Sequence, residues 1–114
     1  MDLTATESVV AGTAVVTLSG SVDLATVPQL SDALSRAVLS NRGRLVAVDL
    51  DGVTALDDTG LGVLLGAAGR ARDSGGDVAI ICSDARLGAR LARCGLDRAV
   101  TVARTIAELV PEPR

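Results

Sequence analysis

Apolar and polar positions change their period several times along the chain, and each change marks an element. Leu3–Val10 and Ala14–Ser19 are β-prone runs separated by Ala11-Gly12-Thr13, a hairpin-length connection containing glycine. The period then lengthens. From Val27-Pro28, with Thr26 or Asp23 as cap, Leu30, Leu34, Ala37 and Val38 recur at helical spacing until Asn41-Arg42-Gly43 stops them. Leu45–Leu50 returns to alternation, with Val46, Val48 and Leu50 on one face and Leu45, Ala47 and Asp49 on the other. Leu61, Leu64, Leu65 and Ala68 form the stripe of a second helix, ended by Asp73-Ser74-Gly75-Gly76. Val78–Cys82 predicts a further strand, Ala85–Arg93 a helix closed by Gly95, Arg98–Val102 a last strand and Thr105–Val110 a last helix.

Strand-helix-strand units of this length require right-handed crossovers and a largely parallel sheet. The prediction is an α/β fold, one domain over residues 1–110, with a mostly parallel sheet and the N-terminal strand as an antiparallel edge. Strands covered on both faces are usually apolar throughout. Val16-Thr17-Leu18-Ser19 and Val46–Leu50 alternate instead, which predicts helices mainly on one face. No G-x-G-x-x-G follows a strand, so a dinucleotide-binding unit is not indicated. Residues 111–114, Pro-Glu-Pro-Arg, read as a frayed tail.

Composition narrows the chemistry. The 114 residues include no His, Phe, Tyr or Trp, and the eleven basic residues are all Arg, leaving no Lys. Without His there is no Ser-His or Cys-His relay and no imidazole metal ligand; without Lys there is no Schiff-base nucleophile and no phosphate-loop lysine. A formal net charge of -3 and the lack of aromatic stacking platforms argue against a nucleic-acid partner. Cys82 and Cys94 lack the spacing and companions of a zinc site and read as reduced, partly buried thiols. No cofactor is expected. Met1-Asp2-Leu3-Thr4 does not begin like a signal peptide, and no apolar run reaches the length of a membrane span, so the expected location is the cytoplasm.

The segment Leu50–Leu65 carries the most information. Asp57-Asp58-Thr59 stands at the start of the second helix, where free N–H groups and the positive end of the dipole favour side-chain oxygens and anions. Capping accounts for these residues. It does not account for Gly62, Gly66 and Gly69, read together with Ala67 as the outer side of the helix, since each interior glycine costs up to about 1 kcal/mol relative to Ala. Such a smooth surface suits either a docked partner or a closely packed neighbouring helix. Asp49, Asp51, Asp57 and Asp58 gather nearby, but Asp is a common turn residue, and no metal is predicted.

Asp57-Asp58-Thr59-Gly60-Leu61-Gly62-Val63-Leu64 resembles the Asp-[Ser/Thr]-[Ser/Thr]-Gly-Leu motif of STAS domains of the bacterial anti-sigma factor antagonist type. Gly20-Ser21-Val22-Asp23, followed by Thr26, is similar to the family's Gly-x-aliphatic-Asp segment, and Cys94-Gly95-Leu96 to its C-terminal Gly-Leu turn. The resemblance implies a non-enzymatic switch protein that binds a serine-kinase anti-sigma factor when unphosphorylated and releases it when phosphorylated. It also implies a partner-binding surface comprising Asp23, Asp57, Asp58, Thr59, Gly60, Gly62, Val63 and Gly66.

The family's acceptor hydroxyl belongs immediately after the first Asp, where this chain has Asp58; Thr59 is the family's second Ser/Thr and the alternative phosphosite. A phosphate adds about -1.5 to -2 charge and three acceptor oxygens, whereas Asp58 supplies about -1 and two, a permanent and partial imitation. Either the chain does not switch or modification has moved to Thr59. The same motif also fits a STAS adaptor in a lipid-transport or stress-signalling assembly. A phosphoryl-accepting receiver domain needs a Lys and is excluded.

Overall fold

The computed structural model describes residues 2–110. Strand β1 (Leu3–Val10) turns back into β2 (Thr13–Val22) through Ala11 and Gly12, both at positive φ, +50° and +80°. That backbone sign matches the right-handed twist of a tight hairpin, and Gly12 takes it without steric cost. Then follow α1 (Val27–Ser40), β3 (Leu45–Leu56), α2 (Asp58–Asp73), β4 (Asp77–Ile81), α3 (Ala85–Arg93), the single turn α4 (Leu96–Ala99), β5 (Thr101–Ala103) and the single turn α5 (Ile106–Leu109). The five strands lie in sequence order; β1 and β2 are antiparallel, and every later pair is parallel.

The alternation in the strands decides which face is covered. Val16, Leu18, Val46, Val48, Leu50, Val78 and Ile80 point into the main core, which they share with Leu30 and Leu34 of α1, Leu61 and Leu64 of α2, Leu91 and Leu96. The opposite face carries a smaller cluster, Val15, Ala47 and Ile81, packed against Ile106 and Leu109 of α5. Helices therefore lie mainly on one face, and only the short α5 crosses to the other. With no aromatic residue, the core is filled by aliphatic side chains, each worth about 1.5–3 kcal/mol when fully buried.

Three boundaries differ from the sequence reading. The run 14–19 continues to Val22, and the run 45–50 continues to Leu56, although Asp51-Gly52 signals a turn. The extension is held by pairing of Ser19 with Gly52, Gly20 with Val53, Ser21 with Ala55 and Val22 with Leu56. To keep in step, β3 carries extra residues between Thr17 and Ser19 and between Gly20 and Ser21 of its partner, two bulges that a local pattern does not reveal. The third difference is at 98–102: Gly95, at φ +82°, closes α3 and opens α4, so the strand there is only Thr101–Ala103. The expected frayed tail, 111–114, falls outside the described residues.

Candidate functional site

Asp57 leaves the end of β3 extended, with φ -92° and ψ 177°, and caps α2 by accepting a hydrogen bond from Gly60 N at 3.2 Å. The Thr59 hydroxyl donates to the same oxygen, Asp57 Oδ1, in a short bond. That bond, followed by the one from the Gly60 amide, holds the Asp57 carboxyl below the usual carboxylate range. Asp57 N donates to Val22 O at 3.1 Å, which ties the start of α2 to the end of β2.

One residue beyond that tie lies the β2–α1 loop. Asp23 Oδ1 accepts from Thr26 N at 3.1 Å, Asp23 N donates to Thr26 Oγ1 at 3.0 Å, and the buried Thr26 hydroxyl donates to Ser21 O at 2.8 Å. Thr26 holds the N-cap position of α1, but neither side chain bonds a first-turn amide as expected of a cap; the two residues bond each other instead, and these reciprocal bonds rigidify the loop. The two candidate acidic loops are side by side.

Asp58 is the first residue of α2, and its side chain is 94% exposed. Its Oδ1 receives Arg90 Nη2 from α3 at 3.0 Å. An ion pair this open contributes at most about 1 kcal/mol and orients more than it stabilises. Thr59 is also exposed, with its hydroxyl engaged on Asp57. Gly60 is buried: a Cβ there would stand 2.4 Å from Val22 Cγ1 and 2.8 Å from Leu56 Cδ1, so glycine lets the first turn of α2 sit on the ends of β2 and β3.

Along α2, Gly62, Gly66 and Gly69 are exposed, and Val63 is half-buried. A Cβ at Gly62 or Gly69 would meet nothing within 4 Å, and one at Gly66 only Arg70 Nη1 at 3.6 Å. No described neighbouring helix packs on this stripe. Ala67, read from sequence as part of it, turns inward and is fully buried with Ala68 and Ala71. Beside the stripe runs a shallow groove of about 430 Å³ between α2 and the α3–α4 turn, lined by Asp58, Leu61, Gly62, Leu65, Cys94 and Leu96.

Sequence reasoning missed three residues here. Leu24 in the β2–α1 loop is 75% exposed and Leu65 on α2 is 42% exposed, both apolar positions framing the acidic loops. An apolar residue in a loop signals the first; the second falls in a helical stripe and reads as core. Arg90 meets Asp58 only through the tertiary fold.

The remaining acids are separately engaged. Asp51 Oδ1 accepts from Ser83 N at 2.7 Å and Ser83 Oγ at 3.0 Å, and Asp49 Oδ1 accepts from Asp51 N at 2.9 Å. Both cysteines are free. Cys82 is buried, which pushes its thiol pKa up, while Cys94 is exposed rather than partly buried as its sequence context suggested. Among the described residues no helix is long and apolar enough to cross a membrane.

Several solved structures share this fold over nearly the whole chain. An anti-sigma factor antagonist from Mycobacterium paratuberculosis is 24% identical, with 94% of this chain and 90% of that one covered and a TM-score of 0.77. An anti-sigma-factor antagonist (STAS) domain protein from Planctomyces limnophilus is 17% identical over 92% of this chain and 93% of its own, with a TM-score of 0.78. The Bacillus cell fate determinant SpoIIAA in its phosphorylated form is 18% identical over 93% and 96%, with a TM-score of 0.66. No curated protein sequence matches. The STAS domain model matches residues 2–109, and the chain belongs to the STAS domain family.

Proposed function

We propose that this chain is a regulatory protein of the anti-sigma factor antagonist type, without enzymatic activity, acting in the cytoplasm of a bacterium. It binds a serine-kinase anti-sigma factor and so controls release of a sigma factor. The binding surface is the pair of acidic loops with the α2 stripe: Asp23, Asp57, Asp58, Thr59, Gly62, Val63 and Gly66, with Gly60 acting from beneath as the residue that seats the helix. The observation that carries this reading is the solvent-facing carboxylate of Asp58 at the family's acceptor position, at the head of a helix whose outer stripe has no side chains. Asp58 supplies a fixed negative charge there, and the protein stays in a state resembling the phosphorylated one. Affinity purification under native conditions, with mass spectrometry of the partners and of the Thr59 peptide, tests it: a kinase-type anti-sigma factor and an unmodified Thr59 are expected.

A second reading, a non-switching STAS adaptor of a lipid-transport or stress-signalling complex, draws support from the Thr59 hydroxyl, which is committed to the Asp57 cap rather than presented to a kinase. A transporter ATPase or a large scaffold as the principal partner favours the adaptor, and phosphate on Thr59 contradicts the fixed-charge mechanism.

A further inference from the structure

Strand β3 outruns its neighbour β4. Only Leu45–Asp49 pair with Asp77–Ile81, while Gly52–Leu56 are paired to β2 alone. Among the described residues, no backbone hydrogen bond reaches the other edge of 52–56. Between that edge and α3 lies an open cleft of about 490 Å³, with Val53, Ala55 and Leu87 as apolar lining and Arg86, Arg90 and Arg93 on the helix side.

These arginines recur at i, i+4 and i+7 along α3. Arg90 and Arg93 lie in the last turn, where a cation is favoured by the helix dipole, but Arg86 sits in the first turn, where it is not. Neither Arg86 nor Arg93 has an ion-pair partner among the described residues. Arg90 keeps its Nε shielded from solvent and without an acceptor. The carboxylates in the same lining are engaged away from the arginine side chains: Asp84 Oδ1 caps α3 through Arg86 N and Leu87 N, and Asp51 Oδ1 accepts from Ser83 N and Ser83 Oγ.

We propose that this cleft is a second interaction surface, adjoining the α2 site through the Arg90–Asp58 pair, which takes an extended acidic segment of a partner protein by β-strand addition to 52–56. An unpaired strand edge supplies main-chain hydrogen bonds, and alternate side chains of an added strand face the same way. Glutamates or aspartates at every second position of that segment meet the α3 arginines, in a protein whose overall charge of -3 disfavours acidic ligands elsewhere.

The test uses fluorescein-labelled Val-Glu repeats, blocked at both ends, read by fluorescence anisotropy and by hydrogen exchange of the 51–56 amides. Expected are slowed exchange at 51–56, binding at least about tenfold tighter than for the matching Val-Lys peptide, and a loss of about tenfold with the double variant R86E/R93E, its fold checked by circular dichroism. A Val-Glu peptide N-methylated at alternate residues, used with the unaltered protein, is expected to lose binding as well. Equal affinity for the acidic and basic peptides, unchanged exchange at 51–56, or no binding up to about 1 mM overturns the proposal. So does protection of 51–56 that rises with protein concentration alone, which would make a second copy of the chain the occupant.

Discussion

Leu45–Leu50 and Asp51–Leu56 are consecutive stretches of one strand, yet only the first is set between two neighbours. Val46–Asp49 pair with both β2 and β4, and Val46, Val48 and Leu50 are buried under the helices. The second stretch pairs on one side, carries the bulges and is mostly exposed until Leu56. The same division runs through α2, where Leu61, Leu64, Ala67, Ala68 and Ala71 are buried and Gly62, Gly66 and Gly69 face solvent. Stability resides in the first part of the strand and the inner face of the helix. The proposed recognition surfaces are the ones whose alteration costs the fold little.

Substitution distinguishes the two halves most sharply. Leu50→Ala empties a fully buried position and should destabilise by about 2–5 kcal/mol in urea unfolding, whereas Thr54→Ala, at an exposed position, should stay within about 1 kcal/mol. Comparable losses for the two would erase the distinction. Gly60→Ala comes next, because its Cβ would crowd Val22 and Leu56; a loss of about 1–3 kcal/mol is expected, and a neutral result would mean that α2 is not seated by that contact.

Asp57→Ala should be milder and pH-dependent. Its folded carboxyl titrates below the unfolded value, so its stabilisation is complete above the unfolded pKa of about 3.9 and is lost as pH falls through the lower folded value. The urea midpoints of wild type and Asp57→Ala should therefore differ at pH 7 and converge in acid. A gap that widens on acidification would contradict the hydrogen-bonded cap. The smallest expected effect is at Gly62→Ala, which should raise stability by up to about 1 kcal/mol through helix propensity, since nothing stands within 4 Å of the added methyl, while weakening partner binding. Unchanged partner affinity would remove the stripe from the docking surface.

The alternation of strands and helices, the one-sided core and the cap at Asp57 are legible in the sequence because they depend on local period and on the chemistry of helix termini. The second half of β3 was not legible, because Asp51-Gly52 carries a turn signal that pairing with β2 overrides through bulges. Arg98–Val102 read as strand because its β-prone end was visible and the left-handed turn at Gly95 was assigned only to closing α3. Ala67 shows the limit of face assignment among small residues: Ala and Gly look alike in a hydrophobic pattern, and only packing places Ala67 inward. The Asp58–Arg90 pair spans 32 residues and has no local signature.

Calorimetry with a cognate kinase-type anti-sigma factor, comparing wild type with Asp58→Ser before and after incubation with ATP, tests the fixed-charge account directly. The account predicts tighter binding by Asp58→Ser before ATP and its loss after phosphorylation, with the wild type weaker and indifferent to ATP. Equal affinity for the two proteins under both conditions would contradict it and leave Asp58 only as a first-turn acid paired with Arg90.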